Sequence, residues 1–143
     1  MQHLILTLVL IFSSITISFA QENNNNSEGA IVTASVVNAL NDKGTIKFAF
    51  YTKENFRMEP LFAKSATIKN GKSTVTFNNV PKGVYAIICY HDENNNGRMD
   101  FFENGMPKES YGTSNNPMNF GPPNFESSKF EVIDENLFLE IKF

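Results

Sequence analysis

Between Asp92 and Glu103 the chain reads DENNNGRMDFFE. Side-chain oxygens stand at the first, third and fifth places (Asp92, Asn94, Asn96), with Gly97 at the sixth and acids at the ninth and twelfth (Asp100, Glu103). That is the spacing by which a calcium loop wraps one hard cation: alternate oxygen donors, a backbone carbonyl at Arg98, and a carboxylate that closes the shell with both oxygens. Donors that are all oxygen favour Ca2+ over zinc or copper. The carboxylates of Asp92, Asp100 and Glu103 repel one another until a cation joins them, so binding is expected to order the loop. Affinity of the extracellular kind, about 10⁻⁴ to 10⁻³ M, suits such a site. Asp, Asn and Gly also make turns without any metal, by bonding their own backbone. A second pair, Cys89 and His91, lies two residues apart and shares one strand face, as a nucleophile and its base would. No orienting group or oxyanion loop accompanies the pair, and a cysteine inside an apolar run behaves as a small core residue.

These residues need a scaffold, and the chain supplies short strand patterns rather than helical ones. Ala30 to Ala39 is rich in Val, Ile and Ala, and Thr45 to Tyr51 alternates with Ile46, Phe48 and Phe50 on one face. Asn41, Asp42 and Gly44 break the chain between them. Ala66 to Ile68 and Ser73 to Phe77 flank Asn70-Gly71, a pair suited to a type I′ hairpin turn. Pro81 presets the next turn, and the strand Val84 to His91 follows. Lys129 to Ile133 and Leu137 to Phe143 are expected to form a closing hairpin about 134–136. Glu54 to Ser65 reads as a loop or one helical turn. About seven strands result, the number of a single Greek-key β-sandwich in the all-β class.

Both faces of the strand Val84 to His91 are largely apolar. Tyr85, Ile87 and Cys89 point one way; Val84, Ala86, Ile88 and Tyr90 point the other. A two-layer sandwich covers only one of them. The cover expected for the other is Asp92 to Ser127, a long segment without strand or helix period, rich in aromatic residues and proline. It would fold over the sheet and be held by the metal, with His91 bonding to it. Within it Lys108-Glu109 with Tyr111 reads equally as a binding edge or as a surface ion pair beside a packed aromatic.

The first twenty residues read as an export signal: an apolar run from Leu4 to Ile17, then Ser18-Phe19-Ala20 as a cleavage site. Residues 21–28 form a polar linker, and 29–143 a single domain of a size that supports one core. The net charge is −3, which argues against a nucleic-acid surface. One cysteine in 143 residues excludes an internal disulfide, so a bound metal would be a useful staple for an exported domain. Secretion or periplasmic placement at the cell envelope, no transmembrane segment after cleavage, and a monomer are expected; the partner there is left open.

The runs VPKGVYAIICYHDENNNGRMD, GMPKESYGTSNN and FGPPNFE together resemble an uncharacterised bacterial exported family, domain of unknown function 2141. The resemblance covers essentially the whole domain after the signal peptide, and its signature falls on His91, Asp92, Glu93, Asn94, Asn96, Gly97 and Asp100, then on Gly105, Pro107, Lys108, Glu109, Tyr111, Gly112, Ser114, Asn115 and Asn116, and on Phe120, Gly121, Pro122, Pro123 and Phe125. Thr113 and Glu103 depart from the family pattern, which makes Glu109 a second candidate for the distal ligand. The resemblance implies a transthyretin-like or carboxypeptidase-regulatory-like sandwich and implies no activity. The expected function is non-catalytic, binding or accessory. The alternatives are a transthyretin-like hydrolase, which would want more histidines than His91 alone, and a peptide- or strand-binding module without metal.

Overall fold

The computed structural model of the chain describes residues 29–118 and 121–143. The export signal and linker assigned to residues 1–28, and Phe120, lie outside the described residues. Along the chain come β1 (Ala30–Val36), β2 (Thr45–Tyr51), β3 (Phe62–Thr67), β4 (Ser73–Val80), β5 (Gly83–Asp92), β6 (Tyr111–Thr113), α1 (Phe125–Ser128), β7 (Phe130–Val132) and β8 (Leu137–Ile141). They build two sheets, one ordered β4-β1-β8 and the other β3-β2-β5-β6, with β7 also paired to β5. This is an all-β sandwich, as the strand rhythm implied. Among the described residues no helix is long and apolar enough to cross a membrane.

Alternation decides what each strand buries. On β2, Ile46, Phe48 and Phe50 are buried; on β1 the same holds for Val32, Ala34 and Val36. Side chains two apart share a face, so these rows meet across the two sheets. Phe50 is the centre of the packing. Its ring lies 5.1 Å from Phe77, 4.9 Å from Tyr85, 5.6 Å from Phe130 and 5.7 Å from Phe62, in tilted and edge-on arrangements. Such pairs add about 0.5–1.5 kcal/mol each beyond their burial.

Three sequence expectations change. The turn at Asn70-Gly71 exists, with φ of 52° and 71°, and Lys69 bridges Lys72. Beyond that bridge β3 pairs with β2 and β4 with β1, so the two arms enter different sheets rather than forming a long hairpin. Asp42 fastens this corner by accepting the Asn70 and Gly71 N–H groups at 2.9 and 2.8 Å, and those bonds hold its carboxyl below the usual range. The closing hairpin is also absent. β7 runs antiparallel to the start of β5, whereas β8 runs parallel to β1 in the opposite sheet. Finally, β3 starts at Phe62 inside the stretch 54–65 read as loop, and residues 53–59 form turns.

β5 has the two-sided character that its sequence implied. Tyr85, Ile87, Cys89 and His91 are buried toward the core, and Ala86 and Asp92 are buried on the other face. Part of segment 93–129 faces that second side, where Met99, Phe101 and Pro122 share a cavity wall with Ile88 and Tyr90, while Val84 stays exposed; the segment is more organised than its composition suggested. β6 pairs with Ile88 to Tyr90, and α1 is capped by Asn124, whose side chain accepts the Glu126 N–H at 2.9 Å.

Candidate metal loop and the face it covers

Asp92 ends β5 with its side chain fully buried. Its Oδ1 accepts the Asn96 N–H at 3.0 Å and its Oδ2 the Gly97 N–H at 2.9 Å, which folds the loop back on its first residue. Lys47 Nζ stands 3.6 Å from the same carboxylate. Gly97 sits at φ 81°, a left-handed conformation that glycine adopts without a Cβ penalty. Two further side-chain turns continue the wrap: Asn94 Oδ1 accepts the Asn96 N–H at 3.0 Å, and Asn96 Oδ1 accepts the Arg98 N–H at 2.9 Å. The other ends of both amides converge on Asp100, with Asn94 Nδ2 and Asn96 Nδ2 donating to Oδ2 at 2.7 and 2.9 Å. These two bonds, that from Asn94 first, hold the Asp100 carboxyl below the usual range.

Asp92, Asn94, Asn96 and Asp100 are thus one hydrogen-bonded group. Glu103 is not part of it. Phe101 bridges Pro107, and the turn between them is closed by Phe102 N–H to Met106 O at 2.8 Å. That turn carries Glu103 outward, where it is exposed. The acid that returns to the loop is Glu109: its Oε2 accepts the Asp100 N–H at 3.2 Å, and the Lys108 N–H bonds Asp100 O at 2.9 Å. Glu109 Oε1 is buried and has no hydrogen-bond partner among the described residues. Among the described residues Lys108 makes no ion pair with Glu109; its ammonium lies 5.4 Å from the centre of the Phe102 ring. Sequence reasoning reached Glu109 only through a second motif, because pattern spacing has no way to count across an inserted turn.

Among the described residues no three His, Cys, Asp or Glu side chains are grouped closely enough to hold a metal by themselves. A cation here would need amide and backbone oxygens as well, which suits a hard ion and not zinc.

The loop is braced from the other side. Thr45 Oγ1 donates to Asn95 Oδ1 at 3.2 Å. Gly44, at φ 67°, lies so close that a Cβ there would stand 2.0 Å from the Asp92 carbonyl oxygen. The β1–β2 turn and the start of the loop therefore form one unit. His91 also joins it: its Nε2 is 2.7 Å from the Lys43 carbonyl oxygen, so its side-chain hydrogen bond goes to this turn, while its Nδ1 lies 3.9 Å from Glu93 Oε1 at the start of the covering segment. Its backbone N–H does bond that segment, at Ser110 O, 2.9 Å away.

Cys89 and His91 are both fully buried. Burial pushes the Cys89 thiol well above its usual range, and its sulfur lies 3.6 Å from Gly112 O. A protonated, enclosed thiol is a poor nucleophile. On the opposite face of β5, burial raises the Tyr90 phenol above its usual range, with smaller contributions from the charges of Asp92, Glu109 and Tyr51.

Residues 34–138 match a family profile described as an uncharacterised protein conserved in bacteria, DUF2141. No curated protein matches the chain. Among solved structures, a pilus-presented adhesin, in a cysteine-to-alanine form, is similar over 80% of this chain and 26% of its own length, at 11% identity and a TM-score of 0.29. The chain thus spans about a quarter of the adhesin's length.

Proposed function

We propose that this chain, which belongs to the DUF2141 family of uncharacterised bacterial proteins, is an exported, non-catalytic β-sandwich whose covering segment is clasped by one calcium ion. Asp92, Asn94, Asn96 and Asp100 would supply side-chain oxygens, Arg98 its carbonyl, and Glu109 the closing carboxylate in place of Glu103. The observation that carries this reading is the buried, unpartnered Glu109 Oε1 beside a loop that already gathers four oxygen-bearing side chains. Buried polar atoms are nearly always bonded, and a lone carboxylate oxygen is costly. In the bound form the Asn94 and Asn96 amides turn their oxygens toward Asp100's side of the loop, where their NH2 groups now stand. The cation would replace those two weak donors and would draw the Asp92, Asp100 and Glu109 carboxylates closer together than they now stand.

The clasp has a purpose in the fold. Segment 93–129 contributes much of the wall facing Ile88 and Tyr90 on the outer side of β5 and has little regular structure of its own; a metal would fix both ends of its first part. Enclosure of Cys89 and His91 supports the non-catalytic reading, and the apolar run Leu4 to Ile17 supports export to the envelope. Binding or accessory service there is the role that remains for such a domain. Calorimetry and thermal melting of residues 21–143 with calcium, magnesium and EGTA test the clasp. Calcium should give heat and raise the melting temperature; neither effect at millimolar calcium would overturn it.

A further inference from the structure

Between the outer face of β5 and the covering segment lies a cavity of about 680 Å³. Ile88 and Tyr90 contribute from β5, Tyr51 from the end of β2, and Met99 and Phe101 from the loop; Arg57 is the single basic residue that lines it. A concave site of this size with apolar and aromatic walls and few polar groups is of the kind that holds a small molecule.

Arg57 gives the site its polarity. Its side chain is exposed, and among the described residues it makes no ion pair. Its backbone stands at φ 64°, in a tight turn closed by Met58 N–H to Asn55 O at 2.9 Å. A bulky residue in the left-handed region is strained, and glycine or asparagine would serve that turn better. Elsewhere the left-handed positions are filled by Asn70, Asn79, Asn95, Asn115, Asn116 and glycines; Arg57 is the exception. Among the described residues no acidic one lines the cavity, so Arg57 carries the one formal charge on its wall.

We propose that this cavity binds a small amphipathic carboxylate, with its alkyl or aromatic body along Ile88, Tyr90 and Phe101 and its carboxylate on the Arg57 guanidinium. The body supplies burial of apolar area, and the charge fixes direction.

Calorimetry on the protein in calcium-containing buffer, with octanoate, octanol and acetate as probes, tests this. Octanoate should bind about fivefold tighter than octanol, the effect of one partly exposed charge pair, acetate should give no heat, and octanoate should shift the NMR signals of Ile88 and Phe101. Both Arg57→Gly and Arg57→Gln should remove the preference for octanoate, and Arg57→Gly should not lower the melting temperature, because glycine accepts that backbone. Equal affinity for octanoate and octanol, absence of octanoate binding, shifts confined to other residues, or a preference that survives both substitutions would each overturn the proposal.

Discussion

Glu109 Oε2 accepts the backbone N–H of Asp100 at 3.2 Å, while its Oε1 is buried with no hydrogen-bond partner among the described residues. Glu103 occupies the twelfth place of the calcium-loop pattern and is exposed. The two acids therefore make opposite predictions. Glu109→Gln should weaken calcium binding at least about tenfold, the scale on which loss of a metal-supporting group is felt, whereas Glu103→Gln should leave it within about twofold. Calcium titration of both variants, followed by calorimetry, reads the difference. Equal losses would return Glu103 to the ligand set.

Gly44 shows how firmly the first loop residue is held. A Cβ at this position would meet the Asp92 carbonyl oxygen at 2.0 Å and the Glu93 Cα at 2.7 Å, both backbone atoms that move only with the loop. Its φ of 67° adds a penalty for any other residue. Gly44→Ala should cost about 2 kcal/mol or more in unfolding free energy and should also weaken the calcium-induced rise in melting temperature. Denaturant unfolding with and without calcium separates the two effects. Asn is the tolerant substitution for backbone angle alone, so a loss as large in Gly44→Asn identifies the contact as the cause.

Acid should loosen the loop through Asp100. Hydrogen bonds from Asn94 and Asn96 lower its carboxyl from the ordinary 3.8. A carboxyl depressed in the folded state stabilises it above the unfolded value, and that contribution is lost as pH falls through the folded value. Loop order should thus be flat from neutral pH to about 5 and decline only below about 4. The amide signals of Asn94 and Asn96, followed by NMR against pH without calcium, check this, and Asp100→Asn should flatten the decline. Loop signals lost already near pH 6 would point to another group.

How much of this was legible depended on the range over which each choice is decided. Strand faces are local, and the alternation of Ile46, Phe48 and Phe50 names buried residues correctly, whereas β5 reads as apolar on both sides and only packing puts Tyr85, Ile87 and Cys89 toward the core. Turn chemistry is local as well, and Asn70-Gly71 adopts the conformation that its residue types favour. Pairing partners are not local. Asp134 to Asn136 signals a reversal, yet β7 and β8 on either side join different sheets, and β8 lies parallel to β1 across more than a hundred residues. β6 was missed because three residues around Gly112 carry no period. The fixed spacing from Asp92 to Glu103 names Asp92, Asn94, Asn96 and Asp100, which the structure brings together by hydrogen bonds, and also Glu103, which it leaves exposed. Glu109 returns to Asp100 beyond a turn whose length no pattern specifies.

Cys89 offers a test of the non-catalytic reading that does not depend on finding a substrate. Burial holds its thiol well above the ordinary range, and the side chain is fully enclosed between the sheets. A thiol in that setting reacts only when the fold opens. Under native conditions a disulfide reagent such as dithionitrobenzoate should label Cys89 at a rate set by unfolding. The same rate should therefore rise with denaturant in step with the unfolding rate measured by fluorescence or circular dichroism. Cys89→Ala should keep the fold, losing about 1 kcal/mol for a small core truncation. Fast labelling of the native protein, with a rate that follows thiol ionisation as pH rises past neutrality and ignores denaturant, would mean that the thiol is accessible and activated. That outcome would reopen the pairing of Cys89 with His91 as chemistry, because the hydrogen bond from His91 to Lys43 O would then have to exchange for one to the thiolate.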